Sequence, residues 1–461
     1  MKLKCVIVFI FTFLLIEPAW SRLESAMNII TYKSLGYTVD ESAEQGLRVR
    51  RLLTRLQILG IDTVIFNFRG HMVTGYSNEV FSTVPRELWA DEERELEKTV
   101  RFAQSLGLKV AFRPILLVIG PKGEFPYEEN GRYWWHGVIR PTEPAKWFES
   151  YFYFHEHYLK MAAKWNVVWY SVGAEMHSLT SGMGSRDLSW RFGYPQLWTE
   201  LLEKARDIVG TQVQLTYGIN YTDQYVQENG ERTWGGEFEQ WRYHLVEKMD
   251  SPEGKLHQKQ LRDLWRSLDF IGIDFYRALG SESTVYPKDF LQLSQMLAGQ
   301  MASYEPQLSQ TMSRVNAVTQ SAKQLAIQEV GYRSVEKGFV SPYLYEDDKT
   351  PINYMHQAAA WQAFLNILWR PSLSWFRGVG IWQVLVDEDA DLAINGGFSP
   401  LGKDITEAVL APYFSPSFKE GPALSKPRAG EQRGISENEK DLILKWGPPQ
   451  NPKHKGSGLK D

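Results

Sequence analysis

Cysteine is almost missing: Cys5 is the single one among 461 residues. A disulfide framework is excluded, and so is any thiolate chemistry beyond that one position. Charge of one sign is missing as well. Lys and Arg total 51 against 55 Asp and Glu, a formal net charge of −4, so nothing in the balance marks a nucleic-acid partner or an anionic membrane surface. No phosphate loop is present. Gly378-Val379-Gly380 runs on into Ile381-Trp382-Gln383 without a third glycine, and Gly402-Lys403 is followed by Asp404 rather than Ser or Thr. Ser171 has no glycine-flanked elbow around it, which argues against a serine hydrolase. His155-Glu156-His157 resembles a metal pair. Residues two apart on a helix point in different directions, however, so a solvated face is the reading taken, and no metal or cofactor is expected.

An apolar run extends from Val6 to Ile16 behind Lys2 and Lys4. It falls short of the roughly 20 residues of a spanning helix, and Ala19-Trp20-Ser21 offers small residues for cleavage before Arg22. Residues 1–21 are therefore read as a signal peptide, 22–414 as the functional domain and 415–461 as a poorly ordered tail rich in Pro and Gly. The expectation is an exported protein, periplasmic or extracellular and bacterial, with no stable membrane insertion. Its oligomeric state is left unassigned.

What the chain has in quantity is aromatic: 17 Trp, 22 Tyr and 23 Phe, or 13%. Short apolar runs alternate with helical stretches throughout. The strands are read at Met27 to Tyr32, Ile61 to Phe68, Leu108 to Val118, Val167 to Gly173, Gln212 to Tyr217, Phe270 to Phe275, Leu325 to Glu329 and Gly378 to Val384. The intervening helices include Ala43 to Leu59, Pro85 to Leu106, Pro144 to Trp165, Pro195 to Val209, Pro306 to Ala322 and Tyr354 to Trp369. Near-continuous apolar strands in strict alternation with helices imply a parallel sheet buried on both faces. At this length a (β/α)8 TIM barrel fits better than two doubly wound domains.

In such a barrel chemistry sits at the C-terminal strand ends. The polar residues there are Asn67, Arg69, Arg113, Glu175, Tyr217, Asn220, Asp274, Tyr276, Glu329, Trp382 and Gln383. Glu175 in VVWYSVGAE and Glu329 in LAIQE each follow an apolar strand, the fourth and the seventh. A charge in that setting faces desolvation unless it lies in a polar cleft. Two carboxyls across a groove are what glycosidic cleavage requires, one protonating the leaving oxygen and the other attacking the anomeric carbon. Arg113, inside a strand, needs a carboxylate partner, with Glu175 and Glu329 as candidates. The two glutamates are 154 positions apart, where an even barrel would separate the fourth and seventh strands by roughly 93. The extra residues are assigned to enlarged loops after strands five and six, Asn220 to Leu261 and Ala278 to Pro306.

The pattern resembles the clan A glycoside hydrolases and is most similar to glycoside hydrolase family 113, the β-mannanases. The stretches that carry the resemblance are WWHGVIRP, WFESYFYFHEHYLKMAAKW, VVWYSVGAEM, DFIGIDFY, LAIQEVGY and GVGIWQV. They lie within residues 27 to 412, densest around strands three to eight. The resemblance implies Glu175 as acid/base, Glu329 as nucleophile, Tyr276 as hydrogen-bond donor to that nucleophile and Trp382 as the floor under the cleaved sugar. Substrate contacts are expected from Asn67, Arg113, Trp135, His177, Asn220, Tyr276, Trp382 and Gln383. The implied activity is retaining hydrolysis of a β-linked polysaccharide, β-1,4-mannan or glucomannan, with that polysaccharide or its oligosaccharides as partner. Two alternatives stand beside it: another clan A β-glycan specificity, and a carbohydrate-binding pseudoenzyme. Glu175 is expected to be protonated and Glu329 ionised at the working pH.

Overall fold

The structure, a computed structural model, describes residues 23–415 except 126, 130–131, 183–190, 227–231, 235, 345–349 and 388–395. The expected signal segment, Cys5 and nearly all of the expected tail lie outside the described residues.

Eight strands close into a parallel barrel: β1 (Glu24–Ile30), β2 (Thr63–Phe66), β3 (Lys109–Phe112), β4 (Trp169–Ala174), β5 (Gln214–Thr222), β6 (Ile271–Tyr276), β7 (Leu325–Val330) and β8 (Phe376–Leu385). Each pairs in parallel with its neighbours in chain order, and β8 returns to β1. The helices are α1 (Glu44–Leu59), α2 (Trp89–Ser105), α3 (Pro144–Lys164), α4 (Pro195–Val209), α5 (Gly236–Val246), α6 (Pro252–Ser267), α7 (Phe290–Thr319), α8 (Tyr354–Leu368) and α9 (Asp404–Phe414). This is the (β/α)8 architecture expected from the alternation.

Local chemistry sets the boundaries. Gly60 stops α1 in the left-handed conformation at φ 92°, a C-terminal cap that costs glycine little. Ser251, Asp289 and Asn353 accept from backbone N–H groups in the first turns of α6, α7 and α8, satisfying donors that the helix leaves orphaned. Outer packing is strongly aromatic: Trp147, Tyr151, Phe154 and Tyr158 on α3 are buried, and Trp147 stacks on Tyr151.

Two expectations are corrected. The helix read from Pro306 begins at Phe290, and Pro306 sits within it. Leu293, Leu297, Met301, Tyr304 and Leu308 are buried on one face at helical spacing, and packing of that face against α8 overrides the local cost of proline. The enlargement after β6 is therefore mostly helix. The second and third strands each stop early. Arg69–Met72 and Ile115–Val118 leave the barrel and pair with each other in a separate small sheet with Phe81–Ser82. Pro114, which has no N–H to give a ladder, lies at the second break. The connection after β3 is thus also long, with a hairpin of Tyr127–Glu129 and Arg132–Trp134.

The barrel interior is polar as well as apolar. Asn28 Nδ2 donates to the carbonyls of Gln328 and Ile381, Ser171 donates to Gln328 Oε1 and Gln328 Nε2 to Thr216. Each of these buried groups finds a partner, as burial requires. Gly218 on β5 has no room for a side chain, because a Cβ there would lie 2.8 Å from Asp274 Oδ2.

Candidate active site

Strand register lines up a polar row at the C-terminal ends. Ala174 lies opposite Gly218, Asn220 opposite Asp274 and Asp274 opposite Glu329. Glu175 follows β4 directly in the left-handed region at φ 54°, which is uncommon for a residue with a side chain. It is held there on both sides: its own N–H donates to Gly218 O at 2.7 Å, and the next N–H, of Met176, donates to the Tyr217 hydroxyl at 2.6 Å.

On the far side of the row, Arg113 is fully buried between two carboxylates. Its Nη2 donates to Asp274 Oδ2 at 2.8 Å, and its Nη1 pairs with Glu329 Oε1. Tyr276 donates its hydroxyl to Glu329 Oε2 at 2.7 Å. Of the two partners considered for Arg113, Glu329 is a direct one, and Asp274 is the other. Glu175 acts on Arg113 only through space.

The Glu175 carboxyl has its own pair of contacts. Asn220 Nδ2 donates to Oε1 at 2.5 Å, and His136 Nε2 lies 3.4 Å from Oε2. The other nitrogen of that ring, Nδ1, sits 2.9 Å from Leu116 O. A carbonyl only accepts, so Nδ1 carries a proton, and a neutral His136 presents a bare Nε2 to Glu175. The contact then closes only if Glu175 is the donor.

Electrostatics run against both halves of the expected assignment. Burial raises the Glu175 carboxyl, but His136 and Asn220 more than reverse it, and the net direction is down. For Glu329, burial raises the carboxyl, Arg113 lowers it, the charge of Glu175 raises it and Tyr276 lowers it, with a net direction upward. Burial is the leading cause at Glu329, and Asp274 is likewise pushed well up by burial and by both glutamates against the pull of Arg113. The hydrogen bonds argue the other way. Both oxygens of Glu329 accept, from Arg113 and Tyr276, which is the pattern of a carboxylate. The lowering at Glu175 comes first from His136, then from Asn220 and His177. The geometry therefore suits an ionised Glu329, and it sets His136 and Asn220 against the Glu175 carboxyl.

The other expected substrate residues divide. Trp382 packs with Tyr276, Ile30 and Phe398 beside Glu329, and the peptide joining Trp382 to Gln383 is cis. Trp135 is half-buried, edge-on to His136 and His177. Asn67 is corrected. Its Nδ2 is spent on Asn28 Oδ1, Ile29 O and Ile65 O, and its Oδ1 accepts from Arg113 at 3.5 Å. It lies under Arg113 rather than at the groove. His177 is buried behind Trp135, with Nε2 4.0 Å from Glu237 Oε2, and burial brings its pKa down to about 3. Gln383 is buried at the end of β8. The solvated face read for His155-Glu156-His157 is corrected: His155 is fully buried against the Tyr170 hydroxyl, and His157 stacks on Trp89.

His136 and Glu237 are the contacts that sequence reasoning left out of the site, and Asp274, noted at the end of the sixth strand, was given no role there. His136 stands in WWHGVIRP with nothing to mark its role, and Glu237 comes from the insertion after β5, where no pattern points to it.

With this arrangement in view, the comparisons are informative. The matching family is Glycoside Hydrolase Family 113. Its model covers residues 34–192, the second to fourth strands, a stretch that carries Arg113, His136 and Glu175 and ends before Tyr276 and Glu329. Solved structures align over nearly the whole barrel. A family 113 β-1,4-mannanase is 20% identical, with a TM-score of 0.53, and the alignment covers 85% of this chain and 99% of that one. The family 113 β-mannanase AaManA from Alicyclobacillus acidocaldarius, solved in complex with ManMIm, is 18% identical with a TM-score of 0.56, covering 85% and 97%. At these identities the likeness shows the fold. Among curated proteins, none matches the chain. The family match and the barrel together support a glycoside hydrolase. Among the described residues, no helix is long and apolar enough to cross a membrane.

Proposed function

We propose that the chain is a retaining glycoside hydrolase that cleaves β-1,4-linked mannan or glucomannan by double displacement. The observation that carries this reading is the division of labour at the strand ends. Glu329 has both oxygens held by donors, from Arg113 and Tyr276, while Glu175 is held by Asn220 and faces His136 at 3.4 Å. Glu329 attacks the anomeric carbon while Glu175 gives its proton to the leaving glycosidic oxygen. The covalent bond removes the charge of Glu329. Glu175, now ionised, takes a proton from water as that water attacks from the side the leaving group vacated, and configuration is retained. Arg113 and Tyr276 hold the nucleophile in its charged form and orient it, and Asn220 fixes the acid. Trp382, packed on Tyr276, offers an apolar surface for the sugar ring. The mannan assignment draws on what the aligned family 113 enzymes are called. Export with loss of residues 1–21 belongs to the same proposal and is checked by N-terminal sequencing of protein recovered outside the cytoplasm.

The test is hydrolysis of mannan, glucomannan, xylan and cellulose by the native chain, Glu175→Gln and Glu329→Gln, with the product anomer followed by NMR. Mannan or glucomannan turnover with β-anomer released first, abolished by Glu329→Gln, is expected. Turnover that survives both substitutions, or α-anomer released first, overturns the mechanism. Preference for xylan or cellulose overturns the substrate.

A further inference from the structure

The insertion between β5 and α6 delivers a fully buried carboxyl, Glu237, to the back of the site, and the reaction described above makes no use of it. It belongs to the first turn of α5, and four donors converge on it. Oε1 accepts from the Thr180 hydroxyl, from the Tyr217 hydroxyl at 3.2 Å and from Trp241 Nε1 at 3.2 Å. Oε2 accepts from the backbone N–H of Asn220 at 3.2 Å.

Two of these contacts lead straight to Glu175. The Tyr217 hydroxyl, which donates to Glu237, accepts the N–H of Met176 and so pins the backbone next to Glu175 in its left-handed turn. Asn220, whose backbone is fixed by Glu237, uses its side chain to donate to Glu175 Oε1. The approach is close by construction. Gly236 begins α5 at φ 58°, and a Cβ there would lie 2.3 Å from Asn220 Oδ1. Only glycine lets the helix press this near to the residue that holds the acid.

We propose that Glu237 is a positioning residue for the acid/base. Through Tyr217 and Asn220 it fixes both the backbone turn and the carboxyl orientation of Glu175, so that protonation of the leaving group depends on it. The inference rests on the reading of Glu175 as acid/base. Burial carries the Glu237 carboxyl up to about 8, against the downward pull of the Thr180, Asn220 and Trp241 donors. Glutamine is not equivalent here. Its amide would set a donor against either the Asn220 N–H or the Trp241 N–H, neither of which can accept.

The test compares a substrate that needs acid assistance with one that does not. kcat/KM is measured for mannohexaose and for 2,4-dinitrophenyl β-mannobioside, whose leaving group departs without a proton. Glu237→Gln, Tyr217→Phe and Glu175→Gln are assayed beside the native enzyme. For Glu237→Gln, kcat/KM on mannohexaose is expected to fall about 10- to 100-fold, part of the 10²–10⁴ that general acid catalysis supplies, and on the dinitrophenyl substrate less than about threefold. Tyr217→Phe, which removes one hydroxyl from the relay, is expected to repeat the pattern and keeps the test intact should Glu237→Gln fold poorly. Equal losses on both substrates, or no loss on either, overturn the positioning role. If Glu175→Gln itself fails to separate the two substrates, the acid/base reading is what has failed.

Discussion

Arg113 donates to Asp274 at 2.8 Å with neither side chain open to water, and its second amino group reaches Glu329. One buried cation thus serves two buried carboxyls, one structural in its position and one chemical. Replacing it by an apolar residue strands both charges. Arg113→Met is expected to lower stability by about 3–5 kcal/mol, the cost of breaking a buried pair from one side, read from urea denaturation. A loss under about 1 kcal/mol would mean that both carboxyls are simply neutral in the folded chain.

Tyr276 pulls the Glu329 carboxyl down through its hydrogen bond while burial pulls it up. Tyr276→Phe removes the downward pull only. kcat/KM is expected to fall about 10- to 100-fold, equivalent to the 1.5–3 kcal/mol of a charged hydrogen bond. Because a higher carboxyl pKa delays ionisation, the acid limb of the pH profile should also move to higher pH. A drop in rate with an unmoved acid limb would assign Tyr276 to the substrate instead.

Stability should carry the signature of two buried groups. Glu237 is raised from 4.5 to about 8 by burial, so the folded chain holds this proton more tightly than the unfolded one. Its contribution is full below pH 4.5 and is lost as pH rises through 8. His155 is lowered from 6.5 to about 3, again by burial. Its contribution is present above pH 6.5 and lost as pH falls toward 3. The stability gap between native chain and Glu237→Gln should therefore shrink from pH 4.5 to 8, and the gap to His155→Leu should shrink from pH 6.5 to 3. Urea titrations across that range measure both, and gaps independent of pH would refute the buried ionisations.

Gly236→Ala introduces a Cβ that meets Asn220 Oδ1 in a backbone conformation alanine disfavours. A destabilisation of about 1–2 kcal/mol is expected from the backbone, together with a fall in kcat that exceeds any change in KM, because Asn220 supports Glu175 and not the bound sugar. A change confined to KM would place Asn220 at the substrate.

Much of this was legible in the residues themselves. Alternation of apolar runs and helices gave the barrel because both sheet faces must be buried and each helix must cover one. Glu175 and Glu329 stood out because a carboxylate at the end of an apolar strand has no reason to be there without a polar cleft, and α4 ran over the residues expected, Pro195–Val209. The misreadings have equally local causes. Pro306 looked like a helix start because propensity is a property of neighbours in sequence, whereas the face it shares with Leu297 and Met301 is buried by α8.

By itself the sequence determined the periodicities, the charge balance and which strand ends carry acids, since these depend on residue type and spacing along the chain. The tertiary structure alone decided the partners. It put Asp274 beside Arg113, turned Asn67 beneath it, brought His136 to Glu175 from a hairpin connection, and sent Glu237 from an insertion into the back of the site. Those contacts join residues tens to hundreds of positions apart. They exist only because barrel closure and strand register fix distances that no local pattern encodes.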